Sequence, residues 1–158
     1  MNQAVQIRIA ETSDARQVMA VINSAFRIAE EFFCGADRIT LEEVERLFIT
    51  GTILVAETDR LLAGCVYVEL RGERSYLGLL SVDPSQQQGG LGSVLMTAAE
   101  KHCRELGSQF MDIYIVNLRT ELTPFYERRG YNETGTLPFP PEIETKLPCH
   151  FITMAKTL

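Results

Sequence analysis

This chain carries no long apolar run, no Cys-x-x-Cys pair and no surplus of positive charge, and each absence removes a class of function. Apolar residues never run on for the ~20 positions that a membrane-spanning helix needs. The N-terminus shows no basic stretch leading into an apolar core, so no secretory signal is expected and the expected compartment is the cytosol. Cys34, Cys65, Cys103 and Cys149 are scattered, and none is spaced with His102 or His150 in the manner of zinc ligands. Neither a metal site nor a disulfide framework is expected, and Cys65 and Cys103 read as small apolar core residues. A net charge of −6 offers no basic face to nucleic acid and suits a cationic partner. What is present is ordinary for a globular chain: 158 residues, 46% hydrophobic and 23% charged, without repeats or low-complexity tracts. That length reads as one domain over residues 1–158 with a proper core.

Periodicity and turn residues divide the chain into alternating elements. Residues 7–9 read as a short first strand, and Ser13 or Thr12 as the cap of a helix carrying Ala15, Val18, Met19, Ile22 and Phe26 at helical spacing. After an irregular piece at 28–39, Thr40-Leu41-Glu42-Glu43 is a capping box opening a second helix through Phe48. Strands at 52–57, 61–70 and 75–82, separated by Asp59 and by Arg71-Gly72, predict an antiparallel meander. A third helix sets Leu91, Val94, Leu95, Ala98, Ala99, Cys103 and Leu106 on one stripe, with Gly107 as a left-handed cap. The apolar strand at 110–116, reached through that helix, is expected parallel to its predecessor by a right-handed crossover. A short helix with Phe125 and Tyr126 closes at Gly130, and strands at 131–136 and 149–157 flank a proline-rich loop. The pattern is α+β, a mixed sheet with helices on both faces.

The stretch richest in chemistry joins the third of those meander strands to the helix: Val82-Asp83-Pro84-Ser85-Gln86-Gln87-Gln88-Gly89-Gly90-Leu91-Gly92-Ser93. A glycine-rich loop at a helix start can hold phosphates. The first helical turn offers unpaired N–H groups and a partial positive charge, and glycines remove the Cβ atoms that would keep a ligand away. No lysine follows the glycines, which excludes a Walker-type loop, and the GxGxxG spacing is absent. Taken by itself, the stretch also fits a turn that merely starts a helix.

Gln87-Gln88-Gly89-Gly90-Leu91-Gly92 resembles Gln/Arg-x-x-Gly-x-Gly/Ala, the coenzyme A signature of the GNAT (Gcn5-related) N-acetyltransferases, with Gln88 standing where many members carry glycine. Leu79-Leu80-Ser81-Val82-Asp83-Pro84 resembles that family's fourth strand and turn, the segment from Pro124 through Phe125-Tyr126 to Gly130-Tyr131 its Tyr-x-x-x-Gly-aromatic piece, and the end of the chain its last strand. The resemblance implies a mostly antiparallel sheet of about seven strands, splayed between strands 4 and 5, with acetyl-CoA as cofactor. Cofactor contacts would come from Leu80, Ser81 and Val82, from Gln87 to Ser93 (Gln87, Gln88, Gly89, Gly90, Leu91, Gly92, Ser93), and from Asn117 and Tyr126. A bulge near Leu80 would free backbone groups for the pantetheine arm, and the Leu80 N–H would stabilise the oxyanion.

Tyr126 stands at the family's general-acid position. The leaving thiolate has a reference pKa of about 8.5, and a phenol near 10 stays protonated at neutral pH and can donate to it. Packing is the alternative for Tyr126, as a strand-end turn is for Asn117, because the 118–124 segment is about two residues longer than the family's. Glu30, Glu31, Glu69, Glu73, Tyr76 and Asp83 are near enough to serve an acceptor, but spacing singles out no base. The expected function is direct transfer of an acetyl group to a primary amine in a ternary complex. The amine is expected to be a small molecule, or one on a protein, framed by residues 28–39 and 137–148, with Phe32 and Phe33 as an apolar or cation–π wall. A non-catalytic acyl-CoA sensor, or transfer of a longer acyl group, is the alternative. No membrane partner is expected, and a homodimer is left open.

Overall fold

The computed structural model describes residues 4–158, Gln88 by its backbone alone. Strand β1 (Gln6–Ile9) leads through a 3-10 turn, Thr12–Asp14, into helix α1 (Ala15–Glu30) and then α2 (Leu41–Thr50). Strands β2 (Thr52–Thr58), β3 (Leu61–Arg71) and β4 (Arg74–Val82) form the expected meander. Helix α3 (Leu91–Glu105) crosses to β5 (Phe110–Val116); α4 (Leu122–Glu127), β6 (Asn132–Pro138) and β7 (His150–Thr157) complete the fold. The strands lie in the order β1-β2-β3-β4-β5-β7-β6, and every pair is antiparallel except β4–β5. Among the described residues no helix is long and apolar enough to cross a membrane.

Alternation along β2 shows how the sheet separates two cores. Leu54 and Ala56 pack with Leu95, Met96 and Ala99 of α3, whereas Ile53 and Val55 pack with Val18, Ile22 and Val44 of α1 and α2. Helices therefore cover both faces, as the apolar pattern predicts.

Two local expectations need correction. Neither Thr12 nor Ser13 caps α1: Asp14 Oδ2 accepts from the Glu11 N–H at 2.8 Å, and Arg8 of β1 grips both oxygens of Asp14 at 2.8 and 3.0 Å. That carboxylate, held by a strand, closes the 3-10 turn that leads into α1, and no side chain caps α1 itself. In α3 the buried row is Leu91, Leu95, Ala99 and Cys103, together with Met96 and Glu100, while Val94 and Leu106 of the expected stripe face solvent. Glu100 is tolerated inside because the Tyr131 hydroxyl and Lys156 Nζ donate to its two oxygens at 2.7 and 2.9 Å. The Thr40 cap of α2 is as expected, its hydroxyl accepting from the Glu43 N–H at 3.2 Å.

The feature that positions the site is where β4 and β5 part. Their pairing covers only Arg74 to Leu77 against Phe110 to Ile113, although both strands continue. On the other side of β4, Cys65 pairs with Ser81 and Tyr67 with Gly78, so Leu79 and Leu80 stand opposite the single residue Val66. Leu79 takes φ +55°, a left-handed conformation rare for leucine, and the Ser81 hydroxyl satisfies its carbonyl at 2.9 Å. This is the expected bulge, and it leaves Leu79 and Leu80 outside both ladders.

Candidate active site

Past β4, the Asp83 side chain caps a 3-10 turn, Pro84–Gly89, by accepting from the Ser85 N–H at 2.9 Å. Gly90 at φ +72° then turns the chain into α3. No side chain caps that helix start, so its first-turn N–H groups have no side-chain partner. A Cβ added at Gly89 or Gly90 would have nothing within 4 Å, which leaves room above the loop for a ligand. Arg129, just beyond α4, adds a full positive charge here. It hydrogen-bonds to the Ser93 hydroxyl, donates to the Phe125 carbonyl at 2.8 Å and stacks on the Phe125 ring at 3.7 Å. The residues present fit coenzyme A: free N–H groups and a guanidinium for its phosphates, then unpaired strand backbone for its arm.

A cleft of about 1010 Å3 runs from this loop through the splay to the opposite side of the sheet. Leu80, Val82, Gln87, Gly90, Gly92, Ser93 and Tyr126 line it. Other predicted residues are placed differently. The Leu91 side chain belongs to the core, the Ser81 hydroxyl is turned to Leu79, and Gly89 is exposed at the loop's outer end. Asn117 Oδ1 accepts from the His150 N–H at 2.8 Å and its own N–H donates to the His150 carbonyl at 2.9 Å, clamping the end of β5 to the start of β7.

Tyr126 is almost wholly buried on α4, edge-on to both Phe125 and Tyr131 with ring centroids 5.0 and 5.7 Å away. Burial pushes its phenol up to about 12, with Arg119 and Arg129 opposing the rise. The phenol therefore keeps its proton throughout the ordinary pH range. Behind it, the Glu100–Lys156 pair holds the Tyr131 hydroxyl, which fixes the ring against which Tyr126 leans.

At its far end the cleft is acidic. Glu30, Asp37 and Arg38 come from the end of α1 and the segment after it, Glu43 from α2, and Glu142 and Glu144 from the loop before β7. The two framing segments are tied together, since the Phe33 carbonyl accepts from the Lys146 N–H at 2.7 Å and the Glu31 carbonyl from Lys146 Nζ at 3.0 Å. The expected Phe32–Phe33 wall is absent. Phe33 is sealed in the interior and Phe32 is exposed, and neither lines the cleft. The aromatic wall is instead Tyr76, Tyr114, Phe151 and Phe139, with successive centroids 5.1, 6.4 and 5.1 Å apart. Among the described residues no group of three metal-ligating side chains occurs.

Sequence reasoning did not single out Arg119 or Arg129, whose placement depends on how α4 docks. It named Glu30 among several acidic residues. Arg119 lines the cleft and lies 3.5 Å from Glu30 and 3.0 Å from Glu121. Burial holds the Glu30 carboxyl above its ordinary range, with Arg119 and Arg38 pulling it back.

Comparison with known proteins accords with this geometry. The family model described as an acetyltransferase (GNAT) domain matches residues 29–158. The chain is 28% identical over 129 residues to a mycothiol acetyltransferase of Propionibacterium freudenreichii, covering 78% of this chain but 41% of that protein, so it spans about two fifths of that relative's length. Ribosomal-protein-alanine N-acetyltransferase from Brucella melitensis superposes with a TM-score of 0.80 at 20% identity, covering 97% of this chain and 99% of that one. PaiA N-acetyltransferase from Thermoplasma acidophilum, solved in complex with coenzyme A, gives 0.76 at 15% identity, covering 98% and 99%.

Proposed function

The chain belongs to the GNAT acetyltransferase family, and from that premise we propose that it moves an acetyl group from acetyl-CoA directly to a primary amine while both are bound. One observation carries the reading: a single cleft joins the uncapped glycine loop, the β4–β5 splay, Tyr126 and the acidic far end. Two substrates can meet in it without a covalent enzyme intermediate. That a structural relative holds coenzyme A adds support.

Bound acetyl-CoA supplies a thioester whose carbonyl carbon accepts the amine. The N–H groups from Gly90 to Ser93 and the Arg129 guanidinium hold phosphate charge at the mouth of the cleft. The unpaired backbone at Leu79 and Leu80 aligns the arm as an added strand. The Leu80 N–H stabilises negative charge on the carbonyl oxygen, in a setting where the donor needs no reorganisation. Tyr126 gives its proton to the departing sulfur. A phenol at about 12 is a weak acid beside an ordinary thiol, but a desolvated thiolate also holds protons more tightly. Asn117 clamps the end of β5 to the start of β7, with pantetheine contact the lesser part of its role.

The acceptor is read as a small cationic amine, on the charge of the far end. The same reading takes residues 1–158 as one acetyltransferase domain acting in the cytosol, as a monomer or a homodimer without change to these steps. Millimolar acetyl-CoA should raise the melting temperature, and free thiol should appear when putrescine, amino-acid amides or aminoglycosides are added. Unchanged melting would refute cofactor binding. Melting that rises with no thiol release from any amine or lysine-rich peptide would leave an acyl-CoA sensor.

A further inference from the structure

We propose that the Glu30 carboxylate takes the proton from the acceptor's ammonium group, freeing the nitrogen to attack. The inference rests on the transferase reading above and assigns it a residue. An amine near pKa 10.4 is almost wholly protonated at neutral pH, and a protonated nitrogen has no lone pair to give. The site therefore needs a proton acceptor inside the cleft, where bulk water does not serve freely.

Several carboxylates line that cleft, and they are not equivalent. Asp37 is 63% exposed and paired with Arg27, Glu142 and Glu144 stand in solvent, and Glu43 takes the Thr40 hydroxyl at the start of α2. The Glu30 side chain is only 13% exposed, at the last turn of α1, where it meets the cleft wall. It faces Arg119 and Glu121 from the segment before α4, Arg38 from the segment after α1, and Cys149 from the segment before β7. Burial makes it a stronger base than a surface carboxylate, while Arg119 keeps the ionised form populated. The same guanidinium also acts on Tyr126, so it bears on both groups that would handle protons. In each turnover one ammonium proton passes to Glu30 and the C–N bond forms as the C–S bond breaks. The sulfur takes the Tyr126 proton, the second nitrogen proton restores the phenol, and Glu30 releases its proton to water. The net yield is one amide, one thiol and one proton.

The test compares two acceptors that differ in basicity. Putrescine carries alkyl amines near pKa 10.4, and glycinamide an α-amine near 8. At pH 7.5, Glu30→Gln should lower kcat/KM for putrescine about 10²-fold and for glycinamide at least severalfold less, the putrescine deficit shrinking as pH rises. Equal losses with both amines, or none, would overturn the proposal. The melting shift with acetyl-CoA should match wild type in this variant, which keeps failure of the cofactor reading separate. Arg119→Gln provides a second arm: with its counter-charge gone, Glu30 protonates more readily, and the acid limb of the rate profile should move to higher pH. A limb that stays in place would also overturn it.

Discussion

A phenol and a pair of glycines carry the sharpest consequences at the scale of single residues. Tyr126→Phe keeps the edge-on contacts with Phe125 and Tyr131 and removes only the proton. Turnover should fall about 10²–10⁴-fold while acetyl-CoA still raises the melting temperature as in wild type. A variant with normal turnover would make Tyr126 a packing residue. The loop glycines differ in a way that spacing does not reveal. Gly90 sits at φ +72°, so any side chain there strains the backbone, whereas Gly89 has an ordinary conformation and open space where a Cβ would stand. Gly89→Glu therefore places negative charge beside the phosphate cradle at little cost to folding. It should leave the melting temperature without ligand within about 2 °C of wild type, equivalent to roughly 0.5 kcal/mol, and reduce the shift with acetyl-CoA through repulsion at the loop's outer end. A full shift in Gly89→Glu would mean that phosphates bind elsewhere.

At the scale of elements, most of what was legible came from local rules. Strand and helix periods, the Thr40 cap, the left-handed Gly107 and the parallel β4–β5 step all follow from residues close in sequence, and the structure has them. What was not legible depends on partners far away. The buried face of α3 takes in Glu100, which Tyr131 and Lys156 from other elements satisfy, while Val94 stays exposed and Leu106 falls beyond the helix end. In the site, the glycine loop and Tyr126 could be read from sequence motifs. The Glu30–Arg119 pair and the Tyr76–Phe139 wall could not, since each joins segments that only the fold brings together. The start of α1 is the clearest case of distant control, with Arg8 of β1 donating to both Asp14 and Glu57. Arg8 holds the Asp14 carboxyl below the usual range. A depressed folded value contributes stability that is full above the unfolded pKa, near 3.9, and lost as pH falls through the folded one. Asp14→Asn should cost about 1.5–3 kcal/mol at pH 7, or roughly 3–12 °C in melting temperature, with a smaller penalty at pH 3. An equal penalty at both pH values would show that the carboxylate's charge contributes nothing.

On the scale of the whole molecule, charge is distributed so that the two mouths of one cleft differ in sign. The chain carries −6 overall, yet the end proposed for the cofactor combines helix N–H groups with Arg129, which hydrogen-bonds to Ser93 of the lining, and the far mouth gathers Glu30, Asp37, Glu43, Glu142 and Glu144 against Arg38 and Arg119. An anionic cofactor and a cationic acceptor would each be drawn to its own end, and each repelled from the other's. Exposed carboxylates act through solvent, so their attraction should weaken as salt shortens the screening length from ~10 Å at 0.1 M to ~3 Å at 1 M. A diamine places a second charge among these groups, whereas a monoamine of equal length places only the reacting one. The KM for putrescine should therefore rise severalfold more with salt than that for butylamine, with kcat changing little for either. Glu142→Gln combined with Glu144→Gln, both on an exposed loop, should remove most of that difference without touching turnover. Equal salt dependence for the two amines, or exclusive use of a lysine-rich peptide at matched concentration, would set aside the small cationic acceptor and leave these carboxylates as ordinary solvated surface.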